Sequence, residues 1–289
     1  MILFNYLLTS IIWLLSILPI FILYGISDFM YIIMYYFIGY RKKVVFENLR
    51  NSFPEKSDKE IKIIAHKFYH NLCDLFIEVV KAKTISSKAL LKRLHFKNIE
   101  IVDKYYSEGR SVIAVCGHTG NWEWVGMTLK MFIKHKGFAV VKPLSSNFWE
   151  KYISKLRLRF AKEGLVPFKQ TFRVLVKNKN FTTLTLLAGD QTPTKSEIEY
   201  RTNFLNQDTP VFLGTEKIAK ALNMVVLFLN IQRKKRGHYE IDISVLTDNP
   251  KNTEDNEITE MHVNALEKAI LTNPDNWLWS HRRWKHKLK

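Results

Sequence analysis

His118 and Glu123 are the two residues whose types and spacing suit acid–base chemistry. They stand five positions apart within residues 111–134, SVIAVCGHTGNWEWVGMTLKMFIK. An imidazole can take a proton from a hydroxyl near neutral pH. A carboxylate against its other ring nitrogen fixes the tautomer and stabilises the imidazolium that forms. If the chain turns back after His118, Glu123 reaches one ring nitrogen and leaves the other free as a general base. Taken alone, H-x-x-x-x-E is a weak signal, because a helix-capping histidine beside a surface glutamate reads the same way. Cys116, two positions before His118, raises a Cys–His nucleophile pair as a second chemistry. Its place inside an apolar run suits a small buried residue better.

The elements that must position these groups are a strand and a helix. Residues 112–116 form a short apolar run rich in β-branched side chains, which predicts a buried strand. Gly117 and Gly120 break that run around His118. Asn121 is then placed to cap a helix with Trp122, Trp124, Val125, Leu129 and Phe132 at its apolar positions. Ser57 with Glu60 fits a capping box, and Ile61, Ile64, Phe68, Leu72, Leu75 and Val79 keep helical spacing behind it. Further on, strands are expected at 138–141, 182–187 and 225–231, with 239–245 an antiparallel partner of the last. Helices are expected at 44–50, 147–163, 215–222 and 257–271, and Thr209-Pro210 is read as leading into the next helix. The alternation predicts an α/β domain with a mixed, mainly parallel sheet flanked by helices.

Bulk properties narrow the partners. The chain has 289 residues, 44 Lys+Arg and 27 Asp+Glu, for a net charge of +17. No Lys or Arg precedes Arg41, and Asp28 is the only charged side chain before it, so the rest of the chain carries +18. Such a surplus suits an anionic partner: nucleic acid, an acidic membrane surface or an acidic carrier protein. The apolar N-terminus favours the membrane. Residues 1–40 are long enough to cross a bilayer core of about 30 Å, with a span and then an interfacial segment at 26–38. The following Arg41, Lys42 and Lys43 place the remainder on the cytoplasmic side. A division into an anchor at 1–40 and one domain at 41–289 follows. Cys73 and Cys116 form no disulfide framework, and His66, His70 and Cys73 lack a further ligand at metal-site spacing, so no metal is expected.

The segment HTGNWEW resembles the histidine signature of the bacterial lipid A late acyltransferases, the lauroyl/myristoyl transferase family. They form part of the larger glycerolipid-type acyltransferases with an HX4D/E dyad. The order continues from RKKVVFENLRNSFPEKS (41–57) through LAGDQ (187–191) to WLWSHRRWK (277–285), so the resemblance covers nearly the whole chain. It implies an acyltransferase fold of the glycerol-3-phosphate acyltransferase type, with His118 as base and Glu123 as its orienting carboxylate. It also implies an acyl carrier protein thioester as donor and a lipid A precursor as acceptor, in lipopolysaccharide biosynthesis at the inner membrane, without a cofactor.

The same resemblance places Arg157, Arg159 and Asp190 in the site region. At Arg157 and Arg159 the bland alternative is a solvated basic helix face. At Asp190 it is a loop cap, although this residue follows a strand whose C-terminal end would share a sheet edge with His118. Asn121, Arg282 and Arg283 join the candidate substrate contacts. The closing NWLWSHRRWKHKLK interleaves Trp277, Trp279 and Trp284 with basic residues, a pattern that suits a lipid headgroup interface and equally a nucleic-acid surface. The resemblance favours the former. Two other functions stay open: an acyltransferase acting on another lysolipid, aminolipid or glycolipid, and a non-enzymatic, membrane-tethered basic protein.

Overall fold

The computed structural model of the chain describes residues 2–161 and 164–286. Expectations at Lys162, Glu163 and residues 287–289 lie outside the described residues. Two apolar helices open the fold, α1 (Ile2–Ile17) and α2 (Ile20–Ile32), the second continuing as a π-helical turn, Ile33–Ile38. Pro19 separates them at φ −54° and ψ 143°, because proline offers no N–H and obstructs the turn before it. The break shifts the candidate span. Ile20–Ile38, at 19 residues, is long and apolar enough to cross a membrane, whereas Leu3–Ile17 is shorter.

α3 (Lys42–Ser52) and α4 (Asp58–Lys81) follow. α4 begins where the capping box predicts: the Glu60 N–H donates to Ser57 Oγ at 3.4 Å, and the Ser57 N–H donates to Glu60 Oε2 at 2.8 Å. Next come α5 (Ser87–Leu91), β1 (Leu94–Lys97), α6 (Glu100–Ser107), β2 (Val112–Cys116) and α7 (Trp122–Phe132). β3 (Lys136–Val141), α8 (Asn147–Arg157), β4 (Leu165–Pro167), α9 (Thr171–Lys177) and β5 (Thr183–Ala188) complete the parallel half. The chain ends with a hairpin of β6 (Tyr200–Phe204) and β7 (Gln207–Val211), then α10 (Gly214–Leu222), β8 (Val225–Lys235), β9 (His238–Thr247) and α11 (Glu257–Thr272).

The main sheet has seven strands in the order β1-β9-β8-β2-β5-β3-β4. Only the β8–β9 pair is antiparallel. β2 lies near the middle, and all five of its residues are buried, as expected of a central parallel strand covered on both faces. Its pleat divides the core. Ile113 and Val115 face one layer with residues of α3, α4, α10, α11 and the C-terminal tryptophans. Val112, Ala114 and Cys116 face the other with Trp124, Val125, Met127 and Leu129 of α7. Each fully buried valine or isoleucine here stabilises the fold by roughly 1.5–3 kcal/mol.

Three expectations are corrected. α8 stops at Arg157 rather than near residue 163. Thr209 and Pro210 lie within β7 and do not lead into a helix. Trp277, Trp279 and Trp284 are 2%, 0% and 7% exposed, so they are core residues and not a lipid-facing surface. Their indole N–H groups are satisfied inside the protein by Asp190, the Pro274 carbonyl and Thr209 Oγ1.

Candidate active site

β2 and β5 run parallel with Cys116 opposite Ala188, so Gly117-His118 and Gly189-Asp190 leave the sheet side by side at its C-terminal edge. The Gly189 N–H donates to the Cys116 carbonyl at 3.1 Å and holds the two exits together. Both glycines lie close against side chains of α11. A Cβ on Gly117 would lie 2.5 Å from Leu266 Cδ1, and one on Gly189 would lie 2.7 Å from His262 Cε1.

Asp190 is the carboxylate that meets His118. Its Oδ1 lies 2.5 Å from His118 Nδ1, and its Oδ2 accepts the His118 backbone N–H at 2.7 Å and the Trp277 indole N–H at 2.7 Å. Burial alone would raise the Asp190 pKa. The imidazole, the hydrogen bonds from His118 and the Trp277 donor outweigh it and hold this carboxyl below the usual range. On His118 burial opposes the charged ring, but Asp190, with a smaller contribution from Glu123, raises its pKa above the ordinary value. An ionised Asp190 puts the proton on Nδ1 and leaves the Nε2 lone pair outward, 3.2 Å from the side-chain amide nitrogen of Gln191. The Trp122 ring meets the imidazole edge-on, with centroids 4.9 Å apart.

Glu123 is not the partner of His118. Arg157 takes both of its carboxylate oxygens, Nε to Oε2 at 2.9 Å and Nη2 to Oε1 at 2.6 Å. The first turn of α7 carries Glu123 against Arg157 of α8, while Asp190 takes the Nδ1 of His118. Arg157, the last residue of α8, therefore turns inward to the site region. Arg159 does not: its Nη1 donates to the carbonyls of Ala82 and Ile85, at 2.6 and 2.5 Å, and ties α8 to the segment after α4.

Asn121 is fully buried. Its Oδ1 accepts the Trp124 N–H at 2.9 Å, the cap that the sequence predicts, and its Nδ2 donates to Glu78 Oε2 at 2.6 Å. Glu78, of α4, escapes notice in the sequence. It also accepts from Tyr239 Oη at 2.6 Å and Tyr24 Oη at 2.9 Å, joining α2, α4, α7 and β9 behind the His118 loop. Burial raises its pKa, against the three donors.

Of the C-terminal pair, Arg282 is exposed. Arg283 is buried and donates to the Pro210 carbonyl at 2.8 Å. Burial lowers the His281 pKa to about 4, and the neutral ring accepts the Thr192 N–H at 3.2 Å. The Cys116 thiol is buried beside the Leu187 carbonyl, and burial pushes its pKa up, away from thiolate chemistry. His66 pairs with Tyr31 Oη, His70 stacks on the Tyr31 ring, and Cys73 packs against Met34. Among the described residues no three His, Cys, Asp or Glu side chains gather as a metal site.

A narrow cleft of about 20 Å³ opens beside His118, lined by Phe68, Leu72, Leu75, Trp122, Tyr239 and Leu278 among others. Asn71, Arg233, Asp275 and Asn276 also belong to its lining, and it has room for one water-sized group. The arrangement is an oriented imidazole at the edge of a sheet, beside a narrow cleft of mixed lining.

The bacterial lipid A biosynthesis acyltransferase family model matches residues 1–286. This chain belongs to that family. It is also 21% identical over 243 residues to lipid A biosynthesis acyltransferase 2 of Shigella flexneri, covering 80% of this chain and 74% of that protein. The enzyme is thus an acyltransferase of lipid A synthesis.

Proposed function

We propose that the enzyme transfers a fatty acyl chain from an acyl carrier protein thioester to a hydroxyl of a lipid A precursor at the inner membrane. The observation that carries the chemistry is the His118–Asp190 pair, with His118 lining the cleft and its Nε2 left unprotonated beside the Gln191 amide. His118 Nε2 takes the proton of the acceptor hydroxyl as its oxygen attacks the thioester carbonyl. The carbon–sulfur bond then breaks, and the imidazolium returns the proton to the leaving thiolate. Asp190 keeps the ring in the reactive tautomer and stabilises its charged form, a contribution that accompanies general-base catalysis worth roughly 10²–10⁴ in rate. Glu123 and Arg157 act as a bidentate pair that sets the charge beside the ring. The N-terminus of α7, just after His118, favours the oxyanion.

The basic balance of residues 41–289 suits an acidic carrier, and residues 1–40 suit a seat in the membrane with the catalytic domain on the cytoplasmic side. A fatty chain is larger than the cleft. Its binding requires the partly exposed side chains of that lining, Trp122 and Leu278, to move aside.

The test is mass spectrometry of lipid A from cells carrying the gene, lacking it, or carrying His118→Ala. Loss of one acyl chain in the last two supports the reading. An unchanged profile refutes it and directs the search to another lipid acceptor.

A further inference from the structure

β8 runs parallel to β2, with Val115 opposite Phe228, and continues to Lys235. Its last residues therefore emerge at the sheet edge that carries His118. There they form one wall of a second groove, about 530 Å³ in volume, between α2, α4 and the β8–β9 turn. The two cavities share Asn71, Arg233, Asp275 and Asn276, so the groove continues the His118 cleft.

Its charge is unbalanced. Five Lys and Arg side chains line it against three carboxylates. The carboxylates are already engaged. Asp74, 2% exposed, accepts from Arg233, Arg236 and Ser27. Asp28 accepts from Arg236, and Asp275 from Asn71. These contacts fix the two guanidinium groups in place. Lys67 and Lys235 are exposed, and among the described residues neither forms an ion pair. A volume of this size suits a small polar headgroup. Fixed guanidinium groups with adjacent ammonium groups suit phosphate oxygens.

We propose that this groove is a phosphate-ester subsite, in which Lys67 and Lys235, with Arg233 and Arg236 oriented by Asp74, hold the phosphate of a substrate whose reacting atom lies at His118. It rests on the acyl-transfer reading above. The phosphate has two sources, the sugar phosphate of a glycolipid acceptor and the phosphodiester arm of the donor thioester.

The experiment uses the full chain in detergent and the variant Lys67→Glu/Lys235→Glu, whose positions are exposed. Lys59→Glu/Lys251→Glu serves as a control of equal charge outside the groove. The groove variant should raise a KM on the order of tenfold, with kcat held within about twofold and the control unchanged. A rise for the phosphorylated acceptor that vanishes with the dephosphorylated acceptor identifies the acceptor as the source. A rise confined to the donor identifies the donor arm. Unchanged KM values, or equal rises in groove variant and control, overturn the proposal. Calorimetric titration with inorganic pyrophosphate supplies a readout independent of turnover. Wild type and control should bind it and the groove variant should not. Pyrophosphate binding in a protein without acyl transfer would keep the subsite and defeat the acyl-transfer reading. No difference in binding among the three proteins would defeat the subsite.

Discussion

At the scale of single residues, the chemistry depends on which carboxylate faces the imidazole. Glu123 is near in sequence, but a bidentate arginine holds it. Asp190, 72 positions away, makes two contacts with His118, one to the ring and one to the backbone. This partnership sets a pH dependence with a definite sign. A general base must be neutral to act, and Asp190 raises the pKa of His118. The acid limb of kcat/KM should therefore lie above the ordinary histidine value of about 6.5, with activity rising as pH rises through it. Asp190→Asn should move that limb downward and lower kcat by on the order of 10²–10⁴. A pH–rate profile of the two proteins decides it. If the limb stays in place, Asp190 is not coupled to the titrating group.

At the scale of elements, the sequence was most informative where local signals were strong. The β2 boundaries, the Ser57–Glu60 capping box and the Asn121 cap were all legible, since each depends on residues within a few positions. The β6–β7 hairpin was not. Its turn uses Leu205 and Asn206 at φ of +52° and +60°, and a buried leucine in that conformation gives no turn signal. Pro210 argues against a strand, yet it is tolerated in a small two-stranded ribbon. β1 was missed because it has only four residues and pairs with β9, far along the chain. In the site, the LAGDQ block drew attention to Asp190 and to the sheet edge it shares with His118. Its pairing with His118 required the β2–β5 register, which no local pattern contains. That register also predicts a packing effect: Gly189→Ala places a methyl group against His262, beside Asp190. It should destabilise the fold by about 1–3 kcal/mol. A denaturant midpoint equal to wild type would show that α11 yields freely.

At the scale of the whole molecule, the N-terminal helices join the domain as much as they could join a membrane. α2 buries Leu23, Ser27 and Tyr31 along one side, and Asp28 pairs with Arg236 from the β8–β9 turn. Other apolar side chains of α2 and of the π-helical turn that continues it, including Phe21, Phe29 and Phe37, are 73%, 62% and 81% exposed. A helix with a charged pair on one side and aromatic rings on the other fits the bilayer boundary. Substituting Ser at all three phenylalanines should weaken binding to anionic vesicles by at least roughly tenfold, since each buried aromatic ring is worth about 1.5–3 kcal/mol. Flotation on a density gradient measures it, with circular dichroism as the check on folding. Undiminished flotation would assign attachment to another surface.

The contact between Trp277 and Asp190, with the Gly120 N–H donating to the Asn276 carbonyl, has a consequence for biogenesis. A ribosome-bound chain can complete most of the sheet while its aspartate still lacks one of the donors that keep it ionised. The closing stretch of the chain therefore completes the hydrogen bonding of a carboxylate that the sheet strands alone leave one partner short.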